Sequence, residues 1–154
     1  MTKDQMRIVD QLVKDIWPEI YTPIIGTEQV NYMLETYQSL ENIKKEIAQG
    51  DQYFILMADD QPVGYTAYRA SSDEIYLSKL YLSERTRGQG YGKQVFAWYD
   101  QLAAGKKIRL NVNKYNQRAI AVYEHQGFQC VEACQNDIGQ GYIMDDYVYL
   151  KDLS

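Results

Sequence analysis

The sequence is poor in the residues that build metal centres, disulfide frameworks and nucleophile–base triads. Its 154 residues include one histidine, two cysteines and three prolines. Cys130 and Cys134 form no CxxC pair and have no histidine near them, so we expect no metal site. The single histidine, His125, and the absence of a Gly-x-Ser-x-Gly motif argue against a Ser–His hydrolase. We interpret His125 as a surface residue.

Long hydrophobic runs are also missing. No apolar stretch approaches the roughly 20 residues of a membrane-spanning helix, and the first residues lack the apolar segment of a signal peptide. We therefore expect a cytoplasmic protein that does not enter a membrane and keeps its cysteines reduced and partly buried. Four positions apart on one expected strand, the two cysteines should face the same way and lie too far apart to bond. The net charge of −5 argues against a general nucleic-acid binder.

The length indicates one domain over residues 1–154. Helical periodicity predicts a helix over 4–17, a second with Thr27 as its N-cap and a third with Ser39 as its N-cap. Pro18 and Pro23 are expected to interrupt regular structure. From Asp51 onward the pattern changes to strands, beginning with a buried strand at 53–57. The prediction is a mixed α/β (α+β) fold on one central sheet, with N-terminal helices, antiparallel hairpin strands, and then strand–helix–strand–helix–strand–strand.

Residues 80–93 join a strand to a helix through three alternating glycines, Gly88, Gly90 and Gly92. Glycines let the backbone approach a ligand closely, and the first N–H groups of a helix favour a phosphate. Three cations add positive charge: Arg85, Arg87 and Lys93. A P-loop does not fit, because Gln94 follows Gly92-Lys93, and a Rossmann fingerprint does not fit, because Lys93 replaces its third glycine.

Two motifs carry a family resemblance. The segment Arg85-x-x-Gly88-x-Gly90 resembles the pyrophosphate loop of the GNAT superfamily of N-acetyltransferases. About two dozen residues later, Asn116-x-x-Ala119-x-x-x-Tyr123-x-x-x-Gly127-Phe128 resembles a second pattern of that superfamily. The resemblance covers roughly residues 52–150. It implies a GNAT-like mixed sheet, acetyl-coenzyme A as cosubstrate and transfer of its acetyl group to an amine. The chain departs from the family in beginning almost inside its first helix, where the family usually has a strand.

The resemblance also implies roles for individual residues. The cosubstrate would contact the strand backbone, the glycine loop and the start of two helices: Leu80, Tyr81, Leu82, Arg85, Arg87, Gly88, Gln89, Gly90, Tyr91, Gly92, Lys93 and Asn116. Asn116 fits equally well as the N-cap of its own helix, and Asn113 is an alternative contact. Tyr123 would protonate the leaving sulfur, although most of the fifteen tyrosines must be packing residues. Glu74, or the adjacent Asp73, would act as the general base, or either would simply be a solvated turn acid.

The N-terminal part divides from the cofactor-binding core at about residue 50 and is expected to form the acceptor side. Segments such as Ile16-Trp17-Pro18-Glu19, together with Asp145-Asp146-Tyr147-Val148, are similar to polyamine (spermine/spermidine) acetyltransferases. Candidate acceptor-binding residues are Tyr21, Met33, Tyr37 and Asp145; Asp145 and Asp146 could hold a cation or face solvent. A protein or peptide amine is the alternative acceptor, and a non-catalytic acyl-coenzyme A binding module is the alternative function. Nothing in the sequence requires a homodimer, although many members of the family form one.

Overall fold

The protein contains five α-helices and six strands, and a computed structural model describes all 154 residues. In chain order they are α1 (Lys3–Ile25), α2 (Thr27–Glu35), α3 (Leu40–Ala48), β1 (Gln52–Ala58), β2 (Gln61–Ala70), β3 (Glu74–Leu82), α4 (Tyr91–Leu102), β4 (Lys107–Asn113), α5 (Gln117–His125), β5 (Gln129–Gly139) and β6 (Tyr142–Asp152). The strand order is β1-β2-β3-β4-β6-β5, with β3 and β4 parallel. The predicted mixed α/β fold is confirmed. No helix is long and apolar enough to cross a membrane.

The backbone groups into two compact units. The first unit contains Met1–Arg69 and Lys79–Gly92, and the second contains Ala70–Ser78 and Lys93–Ser154. Strand β3 contributes its first five residues to the second unit and its last four to the first. The organisation of residues 1–154 as a single domain stays a prediction, and the two units are described separately.

In the first unit, α1 runs through both prolines, so the expected interruption at Pro18 and Pro23 is wrong. Each proline removes one helix hydrogen bond. The apolar face nevertheless continues across them, because Val13, Trp17 and Tyr21, spaced four residues apart, are all buried. Burial of those side chains favours a continuous helix more strongly than the two prolines oppose it.

The caps of the next two helices are one confirmed and one wrong prediction. Ser39 caps α3, and its hydroxyl accepts a hydrogen bond from the N–H of Asn42 at 3.2 Å. Thr27 does not cap α2; it is the first helical residue, and Gly26 precedes it with a φ of 84°. That left-handed conformation suits glycine and ends α1, whose last turn accepts the Gly26 N–H at the Thr22 carbonyl, 3.0 Å away.

Strand β1 is not buried as predicted. It lies at one edge of the sheet. Tyr53 is buried, but Phe54 is 38% exposed and Met57 is 57% exposed. An edge strand has a neighbour on one side only, so an apolar sequence such as Tyr53–Met57 does not by itself place a strand in the core.

A lysine occupies a core position of β3. The buried side chains of this strand alternate through Ile75, Leu77 and Lys79, and Lys79 is only 7% exposed. Its Nζ lies 3.2 and 3.1 Å from the two carboxylate oxygens of Glu46 on α3 and also donates to the hydroxyl of Tyr53. Burial lowers the pKa of Lys79, and Glu46 opposes that shift; burial also raises the pKa of Tyr53, beside the same carboxylate.

Gly64 on β2 allows a close approach of the next strand. A Cβ built on Gly64 would lie 2.2 Å from the backbone carbonyl oxygen of Tyr81 and about 3 Å from two atoms of Leu82. A backbone carbonyl in a sheet cannot rotate away as a flexible side chain would. The strand pair therefore depends on a residue without a side chain at this position.

We expect Gly64→Ala to lower the free energy of unfolding by at least about 2 kcal/mol, because β3 must shift to admit the methyl group. Urea denaturation followed by circular dichroism measures it. Gly92→Ala is the matched control: its Cβ would meet the Leu82 side chain at an ordinary 3.9 Å, and alanine favours the helix there. Equal stability of the two variants would contradict the close approach.

In the second unit, β3 pairs with β4 over Glu74–Tyr76, and β6 lies between β4 and β5. Strand β5 carries a register shift between Cys130 and Glu132. Cys130 consequently pairs with Tyr149 and Cys134 with Asp146, which lie on opposite faces of β6. The expectation that the cysteines face the same way is wrong for this reason. Both are free, and Cys130 is exposed rather than partly buried.

Candidate active site

The glycine loop of the first unit is open. A short 3-10 turn, Glu84–Thr86, follows β3, and α4 begins at Tyr91. Gly88 and Gly90 have φ angles of 79° and 83°, and no atom lies within 4 Å of a Cβ added at either position. Only glycine adopts such angles without strain. The loop therefore leaves a free space lined by backbone directly before a helix N-terminus, where an anion is favoured.

The basic residues around this loop differ in their contacts. Arg85 donates to the carbonyl of Pro62 at 3.2 Å, and its own carbonyl accepts from the Gln89 side chain at 3.1 Å. Arg87 lies 3.6 Å from the Glu84 carboxylate. Arg85 and Gln89 thus brace the loop in addition to any contact with a ligand, and Arg87 has an exposed acid as its neighbour.

The end of β3 runs beyond its ladder with β4. That ladder covers three of its nine residues, Glu74–Tyr76. The buried hydroxyl of Thr66 donates to the Lys79 carbonyl at 2.6 Å, and the Ser83 N–H donates to the Val63 carbonyl at 2.7 Å. The backbone of Leu80–Leu82 is thereby held between two fixed points on the β2 side.

The predicted acceptor-side residues are mostly packed. Tyr21 is 7% exposed and Met33 is 5% exposed, whereas Tyr37 is 37% exposed. The ring of Tyr21 packs on Trp17 at 4.2 Å between centroids, and its hydroxyl lies 3.1 Å from that of Tyr81. Tyr21 and Tyr81, predicted for different roles, are therefore brought together within the first unit.

Tyr65 was not singled out by the sequence. Its hydroxyl and the indole N–H of Trp17 are fully enclosed without a hydrogen bond of good geometry. Burial raises the pKa of Tyr65, and Tyr21 adds to that rise; the nearby Trp17 N–H acts in the opposite direction. Polarity inside an aromatic core leaves no period-based signal in a sequence with fifteen tyrosines.

In the second unit, Tyr123 lies on α5 and is half-buried. Its ring meets Phe96 at 5.9 Å and Phe128 at 5.8 Å between centroids. Asn116 is the N-cap of the same helix, and its side-chain oxygen accepts from the Ala119 N–H at 3.3 Å. The capping interpretation of Asn116 is confirmed, and a contact with the cosubstrate stays a prediction.

Both acidic candidates of the second unit have cationic partners. Glu74 accepts from the Arg109 guanidinium at 2.9 Å. Asp145 lies 2.6 Å from Lys114, whose pKa it raises chiefly through their hydrogen bond. A paired carboxylate is a weaker base than an isolated one, so these contacts weigh against Glu74 as a general base and against Asp145 as a free cation site. Asp73 is exposed at the turn before β3.

Two curated relatives match segments of the chain. The N-acetyltransferase YycN of Bacillus subtilis is 41% identical over 59 residues, 36% of this chain and 38% of YycN. One of the polypeptides of type 2 DNA topoisomerase 6 from Halobacterium salinarum is 30% identical over 89 residues, 55% of this chain and 11% of that polypeptide. The chain thus matches less than half the length of either relative.

Whole-fold similarity extends to solved structures. The PaiA N-acetyltransferase of Thermoplasma acidophilum, solved in complex with coenzyme A, has a TM-score of 0.79 with this chain at 18% identity, covering 98% of this chain and 94% of that one. At this identity the likeness concerns the fold. The model of the acetyltransferase (GNAT) family matches residues 10–128, which include the glycine loop and Tyr123. The chain belongs to the acetyltransferase (GNAT) family.

Proposed function

We propose that this protein transfers the acetyl group of acetyl-coenzyme A to a primary amine, by direct attack in a ternary complex. The observation that carries the proposal is the open loop at Gly88–Gly90 immediately before α4, in a chain that belongs to an acetyltransferase family. The loop has the space, the backbone donors and the positive surroundings that a pyrophosphate needs. The coenzyme A bound to PaiA supports the same cosubstrate here.

The reaction places three demands on the protein. The amine must lose a proton, because an alkyl ammonium has a pKa near that of lysine, about 10. Its nitrogen then attacks the thioester carbon, and the developing oxyanion requires a hydrogen-bond donor. Finally the carbon–sulfur bond breaks, and the thiolate takes up a proton. The backbone of Leu80–Leu82, anchored beside Thr66 and Val63, is our proposal for the oxyanion donor and for pairing with the pantetheine arm.

Tyr123 is our proposed donor of the proton to sulfur. We expect Tyr123→Phe to lower kcat on the order of 100-fold, while acetyl-coenzyme A binding is kept because the ring still packs on Phe96 and Phe128. Steady-state kinetics and a binding titration measure the two effects. Tyr115→Phe is the control, since Tyr115 is 66% exposed. A Tyr123→Phe enzyme with wild-type kcat would remove this role.

The acceptor is proposed to be a small amine such as a polyamine, and a protein or peptide amine is the alternative. The decisive assay measures coenzyme A release with acetyl-coenzyme A and a panel of monoamines, polyamines and peptide N-termini. Release that requires one class of amine supports transfer and identifies the acceptor. Tight binding of acetyl-coenzyme A without release for any amine would instead favour a non-catalytic acyl-coenzyme A binding module. The paired state of Glu74 is the observation in favour of that second possibility.

A further inference from the structure

Asp146 on β6 is a buried carboxylate without a cationic partner. The residue is 8% exposed, and its Oδ1 atom is fully enclosed and accepts no hydrogen bond. A buried carboxylate is normally paired or hydrogen-bonded, because removing its charge from water is costly. An orphaned carboxylate oxygen in a folded protein therefore needs an explanation, such as a ligand that supplies the missing partner.

The adjacent Asp145 shows the ordinary arrangement. Its carboxylate lies 2.6 Å from Lys114, and both side chains are about a quarter exposed. Successive residues of a strand point to opposite faces of the sheet, so Lys114 serves Asp145 and leaves Asp146 on the other face. Of two neighbouring acids, the protein itself supplies a counter-ion to the more exposed one.

The surroundings of Asp146 are polar and close to the surface. Its pairing partners across the sheet are Asn113 on β4 and Cys134 on β5. Asn111, one step away on the same face of β4, is exposed and accepts a hydrogen bond from the Tyr76 hydroxyl at 3.2 Å. The Asn111 amide in turn contacts the Cys134 sulfur at 3.8 Å. The neighbours thus offer hydrogen-bonding groups but no positive charge, and they include side chains that reach solvent.

We propose that Asp146 binds an ammonium group of the acceptor amine, an inference that rests on the proposed acetyltransferase function. A primary ammonium is compact and carries three N–H donors. It would provide the charge and the hydrogen bond that Oδ1 lacks, with Asn111 as a second polar neighbour. A neutral or anionic acceptor would leave the carboxylate as it is, so the site selects for cationic amines.

Without its ligand, Asp146 has a cost in stability. Burial raises its pKa, Asp145 adds to the rise, and Asn111 and Lys114 oppose it. A raised pKa in the folded state means that ionisation opposes folding. The wild-type protein should therefore lose stability as the pH rises from the ordinary Asp pKa through the raised one. Asp146→Asn removes this loss, so its advantage over wild type should grow across that pH range and then remain constant.

The test compares Asp146→Asn with wild type in thermal unfolding, with spermidine as the probe and the ionic strength held constant by NaCl. We expect spermidine to raise the wild-type midpoint and not that of the variant, and kcat/KM for the amine to fall about 10- to 100-fold while acetyl-coenzyme A still binds. Asp137→Asn, an exposed residue, controls for the lost charge. Asp145→Asn tests the competing assignment and should have a smaller effect.

Two results would overturn the role of Asp146. One is the same spermidine-induced shift in wild type and Asp146→Asn, and the other is no shift in either protein. The pH profile of the unliganded variant verifies independently that the carboxylate is buried and charged. Failure of the proposed function is recognised separately, because the wild-type protein would then show neither acetyl-coenzyme A binding nor coenzyme A release.

Discussion

Gly90→Glu is expected to abolish the stabilisation of this protein by acetyl-coenzyme A. Wild-type protein at a hundred-fold excess of cosubstrate over Kd should gain about 2.7 kcal/mol, seen as a higher unfolding midpoint. At Gly90 the backbone has a φ of 83° and the space for a Cβ is empty. A glutamate there would fill that space and bring a negative charge to the place where the pyrophosphate should lie. Thermal unfolding with and without acetyl-coenzyme A measures the loss.

The matched control for this variant is Gly105→Glu. Gly105 has a φ of 81° and equally open surroundings, so it suffers the same backbone strain, on the order of 1–2 kcal/mol, and the same change of charge. Both variants should therefore be less stable than wild type without ligand. Only Gly105→Glu should still respond to acetyl-coenzyme A. Retention of the response in Gly90→Glu would show that the glycine loop is not the binding site.

Lys79→Met should lower the free energy of unfolding by about 3 kcal/mol, because it leaves the Glu46 carboxylate without its cation. The Lys79 side chain is 7% exposed and that of Glu46 is 20% exposed. Solvent therefore compensates little for the lost partner. For a chain of this size the expected fall in the midpoint is roughly 6 to 12 °C, measurable by differential scanning calorimetry.

The double variant Lys79→Met, Glu46→Gln separates the lost pair from a packing defect. It removes both charges, so it should recover most of the lost stability, whereas a packing defect would persist. Lys14→Met is the surface control: Lys14 also contacts an acid at 2.9 Å, but its side chain is 61% exposed. It should change stability by less than about 0.5 kcal/mol. Equal losses for Lys14→Met and Lys79→Met would contradict the buried ion pair.

The fold was largely predictable because its elements carry strong local signals. Alternation and helical periodicity gave the order of helices and strands, and glycines marked the turns between them. The predictions failed where distant contacts decide the outcome. The α1 helix continues through Pro18 because Trp17 and Tyr21 are buried, and β1 is exposed because of its place at the sheet edge. Neither fact is encoded within the few residues concerned.

The site was predictable in part, for a related reason. The glycine loop is a contiguous motif, and its open geometry agrees with the predicted anion site. The pairing of Glu74 with Arg109, and of Asp145 with Lys114, depends on which residues the sheet and its loops bring together. Asp145 and Asp146 look equivalent in sequence. Only their positions on opposite faces of β6 separate a paired acid from an orphaned one.

The most direct measurement is a calorimetric titration of wild-type protein with acetyl-coenzyme A and, separately, with acetyl-pantetheine, which lacks the nucleotide and its pyrophosphate. If the loop at Gly88–Gly90 holds the pyrophosphate, acetyl-coenzyme A should bind one molecule per chain and acetyl-pantetheine should bind far more weakly. Equal affinities, or no binding of acetyl-coenzyme A at millimolar concentration, would contradict the account.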